Sequence, residues 1–188
     1  MINRLRNWRL FLSRPWRKPK KLTDVSVTNF RVTVFDIDVN LHLTNTQYPK
    51  FLDIGRFRWF FEMGLVPLIL RRGLRTVLSS QTVTFIREIK PFSKVRLESR
   101  VLYWDRKYFY MEHRFLVNGQ LHCKAFARIA LLQNGRLKSL DNVMQQRDKF
   151  FKRPEREYPT PDLAPEITAK TELLSLMKQA EEKYQMPS

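Results

Sequence analysis

The chain has 188 residues, enough for one domain with an added element at either end. Hydrophobic residues make up 43% of it, including 14 Phe, 6 Tyr and 4 Trp, which excludes global disorder. The 35 Lys+Arg against 18 Asp+Glu give +17, a field that attracts anions of every class and by itself selects none.

The charge is unevenly spread. Residues 1–21 carry Arg4, Arg6, Arg9, Arg14, Arg17, Lys18, Lys20 and Lys21 and no acid, the stretch to residue 150 is moderately basic, and the remainder is near neutral. A single cysteine, Cys123, excludes an internal disulfide and disfavours a thiolate zinc site, so no metal is expected. No apolar run reaches the ~18 residues of a membrane span, and Arg and Trp interrupt the start too often for a secretory signal. The expected location is cytoplasmic, with room for a peripheral membrane contact.

In chain order, Ile2, Leu5, Trp8 and Leu12 recur at helical spacing among the arginines. This suits either an amphipathic helix on an anionic membrane or a frayed basic tail, ended by Pro15 and Pro19. From Val25 the period becomes two (Val25, Val27, then Phe30, Val32, Val34), and the slip at Thr28–Asn29 predicts a bulge. After a polar segment, Tyr48, Phe51, Leu52, Gly55, Trp59 and Met63 mark one face of a four-turn helix. Asn45 or Thr46 is the expected N-cap, Pro49 fits the first turn, and Gly64 with Pro67 closes the end. Gly55 sits on the apolar face, where it costs roughly 1 kcal/mol relative to Ala, which implies close approach to a sheet.

Four strand patterns follow: Val83, Phe85 and Ile89; Val95, Leu97, Ser99, Val101 and Tyr103; Phe109, Met111, Phe115 and Val117; then Leu121 to Leu131. Asn118-Gly119 and Asn134-Gly135 are hairpin signals. Pro154, Pro159, Pro161 and Pro165 mark an extended strap or linker, and Leu173, Leu176, Met177, Ala180 and Tyr184 a last amphipathic helix. This order predicts an α+β fold, an antiparallel sheet wrapped around a long central helix. The divisions are a basic arm at 1–22, one domain at 23–150, a Pro-rich linker at 151–165 and a helix at 166–188.

Among only three histidines, one falls in the polar cluster. Asp38, Asn40 and His42 alternate ahead of the helix, and extended backbone would put all three on one side. The helix start near Asn45, Thr46, Gln47 and Tyr48 offers unpaired N–H groups and a positive dipole end. A carboxylate, a carboxamide, an imidazole and N–H donors are the parts of acyl transfer, with the carboxylate as base or nucleophile and the N–H groups for an oxyanion. The same residues are also ordinary turn and cap formers.

The segment Asp36-Ile-Asp38-Val-Asn40-Leu-His42-Leu-Thr-Asn45-Thr-Gln-Tyr48 resembles the D-x-D-x-N-x-H-x-x-N-x-x-Y motif of hotdog-fold thioesterases. With Asn and His after the second Asp it is most similar to plant acyl–acyl-carrier-protein thioesterases. The 4-hydroxybenzoyl-CoA thioesterase branch has its catalytic Asp at the place of Asp38. The stretch from Trp104 to Phe115, with Asp53, Arg56 and Pro91-Phe92, looks like the thioesterase superfamily member 6 group, so the resemblance covers residues 24–135. It implies a single hotdog domain, Asp38, Asn40 and His42 acting together, coenzyme A or acyl carrier protein as part of the substrate with no further cofactor, and a site between protomers of a homodimer.

Other candidates have plainer readings beside the functional one. Ser79 and Ser80, read as ending a short segment before a strand from Thr82, contact substrate or form a turn. Arg87 and Lys90 meet carrier phosphates or lie on a solvated edge. His113 and Cys123 are in phase with apolar faces and read as interior residues, while Asp53 and Arg56 suit an ion pair.

The leading expectation is an acyl thioesterase for a fatty acyl group on coenzyme A or acyl carrier protein. The alternatives are a weakly catalytic or non-catalytic hotdog protein binding acyl lipids or scaffolding at a membrane, and a hotdog dehydratase. Nucleic-acid binding rests on charge alone, without a recognised motif, and no nucleic acid is expected.

Overall fold

Period-two sequence becomes one curled antiparallel sheet in the computed structural model, which describes residues 21–154 and 156–184. The amphipathic pattern assigned to Ile2–Leu12 lies outside the described residues. In chain order the elements are β1 (Ser26–Arg31), a 3₁₀ turn (Val34–Asp36), α1 (Tyr48–Glu62), α2 (Val66–Arg71), β2 (Leu74–Phe85), β3 (Lys94–Trp104), β4 (Tyr108–Val117), β5 (Gln120–Gln133), β6 (Arg136–Lys138), α3 (Leu140–Phe150) and α4 (Pro165–Tyr184). The strands run in the order β1-β3-β4-β5-β2, with β6 also on β5, and every pairing is antiparallel. Asn118-Gly119 and Asn134-Gly135 take the positive φ values that two-residue hairpins demand.

α1 crosses one face of this sheet, so the fold is α+β with the sheet wrapped around a central helix. Phe51, Leu52, Ile54, Trp59 and Phe60 are buried against the strands. Gly55 lets the backbones meet: a Cβ there would lie 2.5 Å from Ser99 Oγ and 3.0 Å from Leu97 Cδ2. The far end stops at Gly64 (φ 70°), whose N–H bonds Phe61 C=O while Leu65 N–H reaches Phe60 C=O, a Schellman closure.

The interior divides in two. One cluster (Phe30, Val32, Leu43, Tyr48, Phe51, Leu52, Ile89 and neighbours) lies under the first turns of α1. The other, with Trp59, Phe60, Met63, Leu68, Trp104, Phe109 and Met111, lies under its last turns. Leu22 belongs to the second cluster and its carbonyl accepts Trp59 Nε1–H, so the body begins before residue 23.

Several expectations need correction. β1 pairs with β3 without a register shift, and Ser26, Thr28 and Phe30 are its buried side, so the apparent slip at Thr28–Asn29 is polar residues facing inward and not a bulge. The register shifts lie instead at Leu78/Ser80 in β2, at Val101/Tyr103 in β3 and at Phe115/Leu116 in the β4–β5 pairing; the second turns Trp104, not Tyr103, into the core. β2 begins at Leu74, so Ser79 and Ser80 sit mid-strand rather than in a turn. On α4 the buried residues are Ile167 and Lys170, whereas Leu173, Leu176 and Met177 of the expected apolar face are exposed.

The strap before α4 is pinned to the body. Buried Arg147 bonds the Met63 carbonyl at 3.0 Å, pairs with Asp148 at 2.6 Å, and donates to Tyr158 Oη at 2.7 Å. Among the described residues no helix is long and apolar enough to cross a membrane.

Candidate active site

The first Asp of the motif builds the loop. Buried Asp36 accepts hydrogen bonds from the Thr33 N–H (2.8 Å) and hydroxyl (2.7 Å), closing the 3₁₀ turn after β1. Ile37 then bridges Leu43 in a very short antiparallel ladder. Asp38 N–H bonds His42 C=O at 3.2 Å, Leu41 N–H bonds Asp38 C=O at 3.1 Å, and Leu41 sits in the left-handed region at φ 57°. This is a three-residue hairpin with its last loop residue left-handed. The expected extended backbone is therefore wrong: a tight turn, not strand alternation, gathers these residues.

Asp38 Oδ1 accepts the Asn40 N–H at 2.9 Å, which is an Asx turn. Asp38 Oδ2 lies 3.5 Å from His42 Nδ1, and both side chains are about 30% exposed (29% and 31%). Carboxylate and imidazole thus face each other within reach of solvent. The Asn40 side chain is exposed and has no hydrogen bond among the described residues.

The helix start differs in detail from the expectation. The N-cap is Gln47, in right-handed helical conformation and without a side-chain cap bond, and not Asn45 or Thr46, which are exposed. Thr46 Oγ1 lies 3.4 Å from Thr44 Oγ1. Gln47 Nε2 donates to Phe35 C=O at 3.2 Å and so ties the helix start to the 3₁₀ turn. Tyr48 is an anchor: its ring packs on Phe85 and Phe115, and burial, followed by Cys123, pushes its hydroxyl pKa well up. The N–H groups of Tyr48 and Lys50 have no backbone acceptor among the described residues, and Pro49 between them has no N–H. These are the donors a helix N-terminus leaves open.

A second loop adjoins the first, because Leu43 N–H bonds Ile89 C=O at 2.8 Å. It carries Arg87, which donates to Leu121 C=O at 3.3 Å, and exposed Lys90, 3.8 Å from Glu88. Val34, Phe35, Val39, Leu41 and Phe92 leave these two loops exposed and apolar.

Ser79 and Ser80 do not join this loop; Ser79 bonds Arg128 instead. His113 is fully buried with Nδ1 2.8 Å from Ser99 Oγ, and burial plus Arg56 push its pKa down to about 3. Cys123 is likewise interior. Arg56 and Asp53 form the expected ion pair, and the sequence reading missed their extension: Arg56 Nη1 also bonds Gln81 of β2 at 2.7 Å. No pattern in the sequence links residues 25 positions apart. Among the described residues no three of His, Cys, Asp and Glu gather as metal ligands.

The chain matches the family described as Thioesterase-like superfamily over residues 32–153. It is 28% identical over 108 residues to Protein THEM6 of Drosophila melanogaster, covering 57% of this chain and 56% of that one. It is 31% identical over 107 residues to thioesterase poxG of Penicillium oxalicum, covering 50% and 35% respectively. The chain thus spans about half or less of the length of these curated relatives. A Staphylococcus aureus protein in complex with CoA superposes with TM-score 0.60 at 13% identity, over 76% of this chain and 94% of that one. A Thermus thermophilus thioesterase complexed with coenzyme A and Zn gives 0.54 at 24%, over 72% and 100%. At these identities the likeness is one of fold, and that fold is the hotdog. With the motif loop, the sheet order and the match over residues 32–153 in agreement, the chain belongs to the Thioesterase-like superfamily.

Proposed function

We propose that this chain is a thioester hydrolase acting on a fatty acyl group carried by coenzyme A or acyl carrier protein. One observation carries the reading: Asp38 and His42 face each other, solvent-accessible, on a hydrogen-bonded turn directly ahead of the α1 N-terminus. Asp38 takes a proton from water as the hydroxyl adds to the thioester carbonyl, or attacks that carbonyl itself to form an anhydride that water then opens. The tetrahedral oxyanion is held by open N–H groups of the first helical turn. Its collapse breaks the C–S bond, and the departing thiolate takes up a proton, leaving a fatty acid and a free carrier thiol. His42 orients the carboxylate and assists proton transfer, and Asn40 positions the carbonyl.

Both carriers are anionic, which suits the basic body. A homodimer completes the site in this reading. It is supported by β2, a 12-residue edge strand whose second edge has no partner among the described residues, with Val77 and Leu78 exposed. Residues 1–21 supply a peripheral anionic-membrane contact.

The Asx turn favours a second reading, a non-catalytic protein that binds acyl lipid, since holding Asn40 N–H is a sufficient reason for Asp38. Hydrolysis across a panel of acyl-CoA lengths, with Asp38→Ala as control, separates the two. Absence of turnover, or equal turnover in the variant, rejects the enzymatic reading.

A further inference from the structure

The sheet face opposite α1 carries the outward residues of β5, among them Lys124 and Arg128, which alternate with buried Cys123, Ala125, Ala127 and Ile129. The two cations have different surroundings. Lys124 lies between carboxylates, 3.0 Å from Glu112 and 3.6 Å from Glu166 of α4. Burial pushes the Glu112 pKa up, but Lys124 and Arg100 outweigh it and leave that carboxyl below its ordinary value.

Arg128 has no such partner. Its Nη2 donates to Ser79 Oγ at 3.1 Å, its guanidinium stacks 4.4 Å from the Tyr108 ring centroid, and Tyr110 lies beside it. Its Nε is buried with no acceptor. One helical turn past Glu166, α4 brings Lys170 into electrostatic reach of this arginine, and Lys170 is only 8% exposed. Among the described residues neither cation has an ion-pair partner: Asp105 is spent on the N–H groups of Lys107 and Tyr108, and Glu112 and Glu166 pair with Lys124.

Lysine is almost never this buried unless paired, and burial first, then the Arg128 charge, push the Lys170 pKa down. The position of Ser79 adds to this. It is the extra residue at the register shift between Leu78 and Ser80, and bulges re-aim side chains toward sites. A guanidinium held by Tyr108 and Ser79, an ammonium and a hydroxyl match the oxygens of a phosphate group.

We propose that Arg128, Lys170 and Ser79 form an anion site for a phosphate group on the outer face of the sheet, beneath α4 and separate from the Asp38 loop. The phosphate comes from a soluble compound or from an anionic lipid headgroup.

The test titrates inorganic phosphate into the full chain by calorimetry, against chloride at matched ionic strength. Saturable binding is expected, weakened about tenfold or more in Lys170→Met and Arg128→Gln and unchanged in Lys107→Met. Lys170→Met keeps the aliphatic stem, so it decides the matter if Arg128→Gln does not fold. Binding equal to that of chloride, or equal in wild type and Lys170→Met, overturns the site. Flotation with phosphatidylcholine vesicles, with and without phosphatidic acid, then identifies the source. A headgroup ligand makes the acid-dependent binding of the full chain fall in Lys170→Met; a soluble ligand leaves it unchanged while phosphate binding is lost.

Discussion

Ser99 Oγ lies 2.8 Å from His113 Nδ1, and this pair fills the space beneath Gly55 of the central helix. A methyl group at Gly55 gains about 1 kcal/mol of helix propensity but collides with Ser99 and Leu97, and such overpacking costs about 1–3 kcal/mol. Gly55→Ala is expected to lower the urea midpoint, and by less in a Ser99→Ala background. Equal losses in both backgrounds would show that the Ser99 contact is not the cause.

His113 makes the fold acid-sensitive. Its pKa is about 3 against an ordinary 6.5, because burial disfavours the imidazolium and Arg56 repels it. The unfolded chain therefore binds the proton first, and stability falls as pH drops below about 6.5, with a slope approaching about 1.4 kcal/mol per pH unit. Denaturation between pH ~5 and ~6.5 lies above the ordinary carboxylate range, so the comparison with a His113 variant there reads this contribution. His113→Gln should flatten the profile; an unchanged slope would assign it to another group.

Asp38→Asn separates chemistry from turn formation. The amide oxygen can still accept the Asn40 N–H, so stability should change by less than about 0.5 kcal/mol, whereas losing the base should slow hydrolysis by about 10²-fold or more. A variant that is both stable and active would reduce Asp38 to a turn former.

Leu41 at φ 57° stores strain of about 1–2 kcal/mol, which glycine would not bear. Leu41→Gly is expected to be neutral or stabilising by up to about 1 kcal/mol, since glycine's greater unfolded-state freedom offsets part of the relief. Leu41→Val should destabilise, because a β-branched residue tolerates this region least. Chemical denaturation of the two variants checks the order.

Cys123 is fully buried, and burial pushes its thiol pKa up to about 12. It should not react with an aromatic disulfide reagent at neutral pH in the native protein, and should react fully in denaturant. Fast native labelling would mean that β5 opens locally.

The helix face from Tyr48 to Met63, the hairpin turns and the close approach at Gly55 were legible in the sequence because each rests on a local rule: a 3.6-residue period, a left-handed turn position, or a missing Cβ. β1 departs from period counting at Thr28–Asn29 because Ser26 and Thr28 face inward, where that counting expects apolar residues. In the site loop, the residue types around Asp38 were legible, but the backbone that gathers them was not. Alternation in the sequence cannot distinguish an extended strand from a three-residue turn whose bonds run back to His42, and the loop is held against Ile89 from a distant segment.

The +17 charge is fixed by the sequence, as is the concentration of eight basic residues in residues 1–21. Which of the body's charges are neutralised depends on the tertiary structure. Lys124 and Arg128 are four residues apart on one face of one strand, yet Lys124 has two carboxylates and Arg128 none. That difference is set by β4, β2 and α4, which sheet pairing and helix packing bring alongside β5 from far along the chain. A charge's worth depends on its burial and neighbours, and both are fixed only when those elements meet.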